Sequence, residues 1–233
     1  MRTKPVTTLV LPGLDGSGLL LDRFQQLAPP THNVEVRVLP DDPAAGYFEL
    51  LDHFSDPVRE FDRCVLIGES FSGPLAILLA HRFPEVVSHL VLVASFAVSP
   101  APLLTPFIPW SLVFRLPLPS FVARRFLLGN DHDDFLPKLR TAIRQASSAT
   151  LSRRMHAVSN VDVRQQLGEL SCPITYIRAT QDVLVKDRSA TTISEINDKV
   201  VIRRIDGPHL ILQTQPEQSW NCIADTPPTA EPR

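Results

Sequence analysis

The chain has 233 residues, of which 44% are apolar and 21% charged, with a formal net charge of −2. That balance suits a globular protein with one sizeable core, and it offers no electrostatic basis for nucleic acid or an anionic membrane surface as a partner. Three cysteines, Cys64, Cys172 and Cys222, lack any C-x-x-C spacing, which argues against a disulfide framework or a zinc site and points to a reducing, cytoplasmic setting.

In chain order, short β-rich runs alternate with helical ones, the pattern of a parallel sheet covered by helices. Strands are expected at Thr7–Leu11, Val34–Leu39, Cys64–Ile67, His89–Ala94, Ile174–Ala179 and Val200–Ile205. Helices are expected at Leu19–Leu27, Tyr47–Phe61, Pro74–Arg82, Asp187–Ile196 and Leu210–Ile223. The third of these is apolar nearly all round, as a central buried helix is. Pro12, Asp15 and Asp22 interrupt the first apolar stretch too early for a signal peptide. The apolar runs near 75–80 and 90–94 fall far short of the roughly 20 residues that span a bilayer. The pairs Arg124-Arg125, Arg153-Arg154 and Arg203-Arg204 read as solvated surface.

One stretch breaks the alternation. Pro100, Pro102, Pro106, Pro109, Pro117 and Pro119 crowd the start of an insert after the fourth strand, where they preclude a long helix. Segments near 121–128 and 135–158 can be helical. Residues 1–98 and 160–224 are thus expected to form the core, and 99–159 a helical, Pro-rich cap over the carboxyl ends of the strands. The last stretch, 225–233, carries Pro227, Pro228 and Pro232 and is expected to be a disordered tail.

Between the third strand and its helix lies Gly68-Glu69-Ser70-Phe71-Ser72-Gly73, close to the G-x-S-x-G turn that exposes a nucleophilic serine. Ser72 stands where the last glycine belongs, and it adds the smallest polar side chain available. Ser70 is therefore read as the nucleophile and Ser72 as a tolerated small neighbour. A nucleophilic serine needs a base, and the base an orienting acid. Of seven histidines, His209 alone directly follows an expected strand and precedes the last helix. Asp182 ends the strand and polar turn ITYIRATQD and is the leading acid, with Asp187 and Asp206 as alternatives. Ser70, Asp182 and His209 all fall at carboxyl ends of strands, where an open α/β sheet binds its ligands. The backbone N–H of Phe71, and that of Leu14 in the loop LPGLDG after the first strand, are candidate oxyanion donors. That loop matches neither glycine-rich phosphate-binding pattern. Asn130-Asp131-His132-Asp133-Asp134 reads as a solvated acidic loop, with no metal site expected.

LPGLDGSG, GESFSG, RATQD and DGPH, in that order, resemble the α/β-hydrolase superfamily. The resemblance implies an α/β fold with a mostly parallel open sheet of about six strands flanked by helices, lacking the first two strands, with a helical cap. It also implies a Ser70-Asp182-His209 triad, an oxyanion hole at Leu14 and Phe71, and no cofactor. The expected activity is that of a serine esterase on small-molecule esters with apolar acyl groups. Phe107, Trp110, Phe114 and Phe121 are candidate walls of the acyl pocket. Thioesters, methyl esters of carrier-bound acyl chains and carbon–carbon bonds are alternative substrates for the same machinery. A non-enzymatic member that binds a small apolar ligand is a further alternative.

Overall fold

A computed structural model of the protein describes residues 5–100 and 108–224. The expected tail at 225–233 and the candidate pocket residue Phe107 lie outside the described residues. Six strands, β1 (Val6–Leu11), β2 (His32–Val36), β3 (Cys64–Glu69), β4 (Val87–Val93), β5 (Ile174–Ala179) and β6 (Val200–Ile205), form one sheet in the order β2-β1-β3-β4-β5-β6. Every pairing is parallel. Residues of β3 and β5 are buried throughout, as expected of strands covered on both faces.

One face is covered by α2 (Tyr47–Arg59), α3 (Ser72–Arg82), α8 (Arg164–Glu169) and α9 (Asp187–Ile196), whose apolar side chains join Leu9, Leu66, Leu92 and Tyr176 in the larger core. The other face carries α1 (Asp22–Gln26) and α11 (Pro216–Ala224), where Trp220 stacks on Phe24 above Val10, Ile67 and Val93. No helix among the described residues is long and apolar enough to cross a membrane.

Several element bounds differ from the sequence expectation. β2 runs from His32 to Val36 and not from Val34 to Leu39. Its alternating valines mislead because the chain leaves the sheet after Val36. There the Leu39 N–H donates to Gly16 O, in the loop after β1, and Val38 turns outward. The last expected helix is two pieces, α10 (Ile211–Thr214) and α11, because Pro216 cannot continue the first and instead starts the second. The segment near 135–158, expected to be able to form helix, holds two, α6 (Leu136–Gln145) and α7 (Ser148–Asn160), and Ser147 caps the second by accepting the Thr150 N–H.

The segment between β4 and α8 begins and ends at one neck. Val98 bridges Asp162, the Ser99 N–H donates to Val161 O, and the Val163 N–H donates to Ala97 O. Within it, α4 (Trp110–Val113) fits between Pro109 and Pro117, and α5 (Ser120–Ala123) continues into a π-turn over Arg124–Leu128. Ala123, Leu128, Leu136, Leu139 and Ala142 make a small core of their own with Leu20 and Leu210. The segment thus packs against the loops at the carboxyl ends of β1 and β6. Asp133 of the acidic loop is engaged by the Arg124 guanidinium, with Nε 2.6 Å from Oδ1.

Candidate active site

The strand order reverses between β1 and β3, which makes their carboxyl ends the crevice where such sheets receive ligands. The register pairs Leu11 with Gly68, so the loop after β1 runs beside the turn after β3. In that turn Ser70 has φ 48°, a left-handed conformation unusual for a residue with a side chain. It is held by the Ser70 N–H to Val93 O at 2.8 Å, the Ser95 hydroxyl to Ser70 O at 2.6 Å, and the Gly73 N–H to Ser70 O at 3.1 Å. The tight turn explains both flanking glycines. A Cβ on Gly68 would lie 2.8 Å from Ser72 O, and one on Gly73 1.8 Å from Ser95 Oγ.

His209 lies in the loop between β6 and α10, and Asp182 in the turn after β5; both are buried. His209 Nε2 is 2.9 Å from Ser70 Oγ, and Nδ1 is 2.7 Å from Asp182 Oδ2. An ionised carboxylate only accepts, so Nδ1 carries the proton, and Nε2 is left to accept from the Ser70 hydroxyl. The other Asp182 oxygen accepts the N–H groups of Leu184 and Val185 at 2.8 and 3.0 Å. The alternative acids are engaged elsewhere. Asp187 has a side chain 77% exposed and pairs with Arg178, while Asp206 accepts from Thr180 and Gln181.

Phe71 is the N-cap residue of α3, whose first backbone N–H groups have no partner within the helix. Leu14 and Phe71 both line a cavity of about 330 Å³ that also touches Ser70 and His209. Its walls are largely apolar and include Leu20, Phe96, Leu139, Ile143 and Met155; among the described lining residues are Asp15 and Glu69 and no lysine or arginine. Trp110 and Phe114 line it, stacked with ring centroids 5.9 Å apart. Phe121 does not join them. It is 71% exposed, because the short α5 turns Ala123 to the interior and the phenylalanine to the outside.

Three residues at this site escape the sequence reading. Ser72 is not merely tolerated: its hydroxyl donates to Pro12 O at 2.5 Å. Arg154, read as surface, is 1% exposed and donates to Leu14 O at 2.7 Å and Pro40 O at 2.9 Å. Glu69, next to Ser70, is 2% exposed, with one oxygen accepting the Gln213 amide at 2.8 Å. Its position in a strand buried on both faces was the available signal for its burial.

Burial pushes the Glu69 carboxyl up from its ordinary value of 4.5 to about 7, with the Asp15 charge adding to the rise and Gln213 opposing it. Between those two values the folded protein keeps a proton that the unfolded chain has released, so stability falls as pH rises through that window. Glu69→Gln removes this titration. Relative to the parent, the variant is expected to gain about 3 kcal/mol of stability between pH 4 and pH 8, measured by urea unfolding at both. An equal difference at the two pH values would contradict the buried neutral acid.

Residues 5–219 match the Alpha/beta hydrolase family, and the chain belongs to that family. It is 27% identical over 225 residues to a biotin biosynthesis bifunctional protein BioHC from Cellvibrio japonicus, an alignment covering 88% of this chain and 43% of that protein. The chain thus spans less than half the length of that relative. Its fold is similar to that of an esterase from Exiguobacterium antarcticum (TM-score 0.79, 12% identity, 96% of this chain and 92% of that one). It is similar also to an N-formylmaleamic acid deformylase from Pseudomonas putida S16 (TM-score 0.78, 14% identity, 97% and 94%).

Proposed function

We propose that the protein is a serine hydrolase that cleaves carboxylic esters with apolar acyl groups through an acyl-enzyme. The observation that carries this reading is the hydrogen-bonded line from Ser70 Oγ through His209 to Asp182, open to an apolar cavity. Family membership supports hydrolysis in general; the choice of an apolar ester rests on the cavity walls.

In this reading Ser70 Oγ attacks the ester carbonyl while His209 Nε2 takes its proton, and Asp182 orients the imidazole and stabilises its charged form. The oxyanion meets the N–H groups of Leu14 and Phe71, donors aimed before the charge develops. Collapse breaks the bond to the alcohol oxygen, which leaves with the proton from His209. Water then attacks the acyl-enzyme with His209 again as base, freeing the acid and Ser70. None of these steps calls on a cofactor. Residues 99–159 serve as the cap and 1–98 with 160–224 as the core.

The reading is tested by p-nitrophenyl esters with apolar acyl groups against esters of the same length ending in a carboxylate, and against the matching thioesters. Apolar oxygen esters should turn over fastest, since no lysine or arginine is among the described residues that line the cavity to receive a carboxylate. Faster turnover of the thioesters would move the substrate class, and no turnover of any would overturn the reading.

The walls should set chain-length preference. Each methylene that fits is worth about 0.8 kcal/mol, so a fitting carbon changes kcat/KM about fourfold. Trp110→Ala and Phe114→Ala are therefore expected to shift the preferred acyl length by at least one or two carbons. Phe121→Ala is expected to leave the profile unchanged, since that ring lies outside the cavity. Identical profiles in all three variants would show that the acyl group lies elsewhere.

A further inference from the structure

We infer that Ser72 and Arg154 are positioning residues that fix the Pro12–Leu14 segment so that the Leu14 N–H meets the oxyanion. The inference rests on the proposed hydrolase reading and extends it to two side chains that touch neither substrate nor the reacting atoms.

Three consecutive peptide units are pinned by their carbonyls. Pro12 O accepts the Ser72 hydroxyl at 2.5 Å, Gly13 O accepts the Gly16 N–H at 3.0 Å, and Leu14 O accepts Arg154 Nη1 at 2.7 Å. The middle unit carries the donor. In a planar trans peptide the C=O and N–H point in opposite directions, so a Gly13 carbonyl turned to Gly16 sends the Leu14 N–H the other way. The two outer bonds hold the flanking peptide units and so the ends of the middle one, whose own orientation is kept by the Gly13 O bond to Gly16.

Ser72 sits two residues after Ser70, so the same turn that presents the nucleophile also anchors the facing loop. A glycine at this position would leave Pro12 O without that buried donor. Arg154 comes from α7, in the segment between β4 and α8, and its planar fork spans two carbonyls, Leu14 O and Pro40 O. Its cation lies 5.9 Å from the Phe71 ring centroid, so one side chain touches both residues proposed to donate to the oxyanion. Gly16 makes room for it: a Cβ there would lie 2.6 Å from Arg154 Nη1. In this inference the segment expected as a cap also positions a catalytic donor, through Arg154.

The test compares Ser72→Ala, Arg154→Lys and Arg154→Met with the parent on a p-nitrophenyl ester and on its thionoester, in which sulfur replaces the carbonyl oxygen. Sulfur is a poor hydrogen-bond acceptor, so the ester-to-thionoester rate ratio reports how well the oxyanion donors are aimed. Ser72→Ala is expected to lower kcat about tenfold with KM within twofold, and the ratio should fall with kcat. Arg154→Met should lose more than Arg154→Lys, which keeps one hydrogen bond. Should Arg154→Met fail to fold, Ser72→Ala decides alone, since it removes one hydroxyl and no charge. A folded Ser72→Ala protein with unchanged kcat, or with reduced kcat at an unchanged ratio, overturns the positioning role. A parent protein inactive on both esters overturns the hydrolase reading itself, a separate outcome.

Discussion

Ser70→Ala is expected to lower kcat on the best p-nitrophenyl ester by at least about 10⁴-fold while leaving the fold intact. Attack requires an oxygen where the Ser70 Oγ stands, 2.9 Å from His209 Nε2, and no neighbouring hydroxyl can substitute. Ser72 is buried with its proton committed to Pro12 O, and Ser95 donates to the Ser70 carbonyl. The loss should appear in kcat with little change in KM, because the methyl group leaves the cavity walls in place. Circular dichroism and a thermal melt of the variant check the fold. A folded Ser70→Ala protein that keeps a tenth of the parent activity would exclude Ser70 as the nucleophile.

His209→Ala should cost nearly as much, and the double variant with Ser70→Ala little more than either alone, since groups acting as one unit do not lose activity additively. Asp182→Asn is expected to lower kcat by about 10⁴-fold, because an amide facing Nδ1 can stabilise the tautomer whose Nε2 carries the proton and cannot act as base. The same substitution at Asp187 or Asp206 should leave kcat within about threefold, as their carboxylates pair with Arg178 and with Thr180 and Gln181. Heavy loss in Asp206→Asn, with Asp182→Asn near normal, would reassign the acid.

Much of this arrangement is written locally. The buried strands announce themselves as apolar runs, and Gly68-Glu69-Ser70 places a serine where a strand must turn into a helix. His209 stands out because it follows a strand directly. Asp182 leads Asp187 and Asp206 by sequence because it closes the turn after an expected strand, but the alternatives stay open there, since the choice depends on which carboxylate the turn after β5 aims at His209. Arg154 was illegible for a related reason. An arginine pair in a polar helix looks solvated, and only the packing of α7 against the loop after β1 buries one member while Arg153 stays near the surface. Ser72 misled in the opposite direction: local sterics explain why a small residue is allowed, whereas its hydrogen bond to Pro12 spans sixty positions of chain. β2 was misplaced because the alternation of Val34, Val36 and Val38 continues past the point where the backbone leaves the sheet. Phe121 carried the right composition on the wrong side of a four-residue helix.

The most direct measurement is labelling with a fluorophosphonate, which bonds covalently to an activated serine, followed by mass mapping of the modified peptide. The proposed mechanism predicts one label per chain, on Ser70, lost in His209→Ala and absent from Ser72, Ser95 and Ser17. Label on another serine, or undiminished labelling of Ser70 after removal of His209, would contradict a nucleophile activated by that histidine.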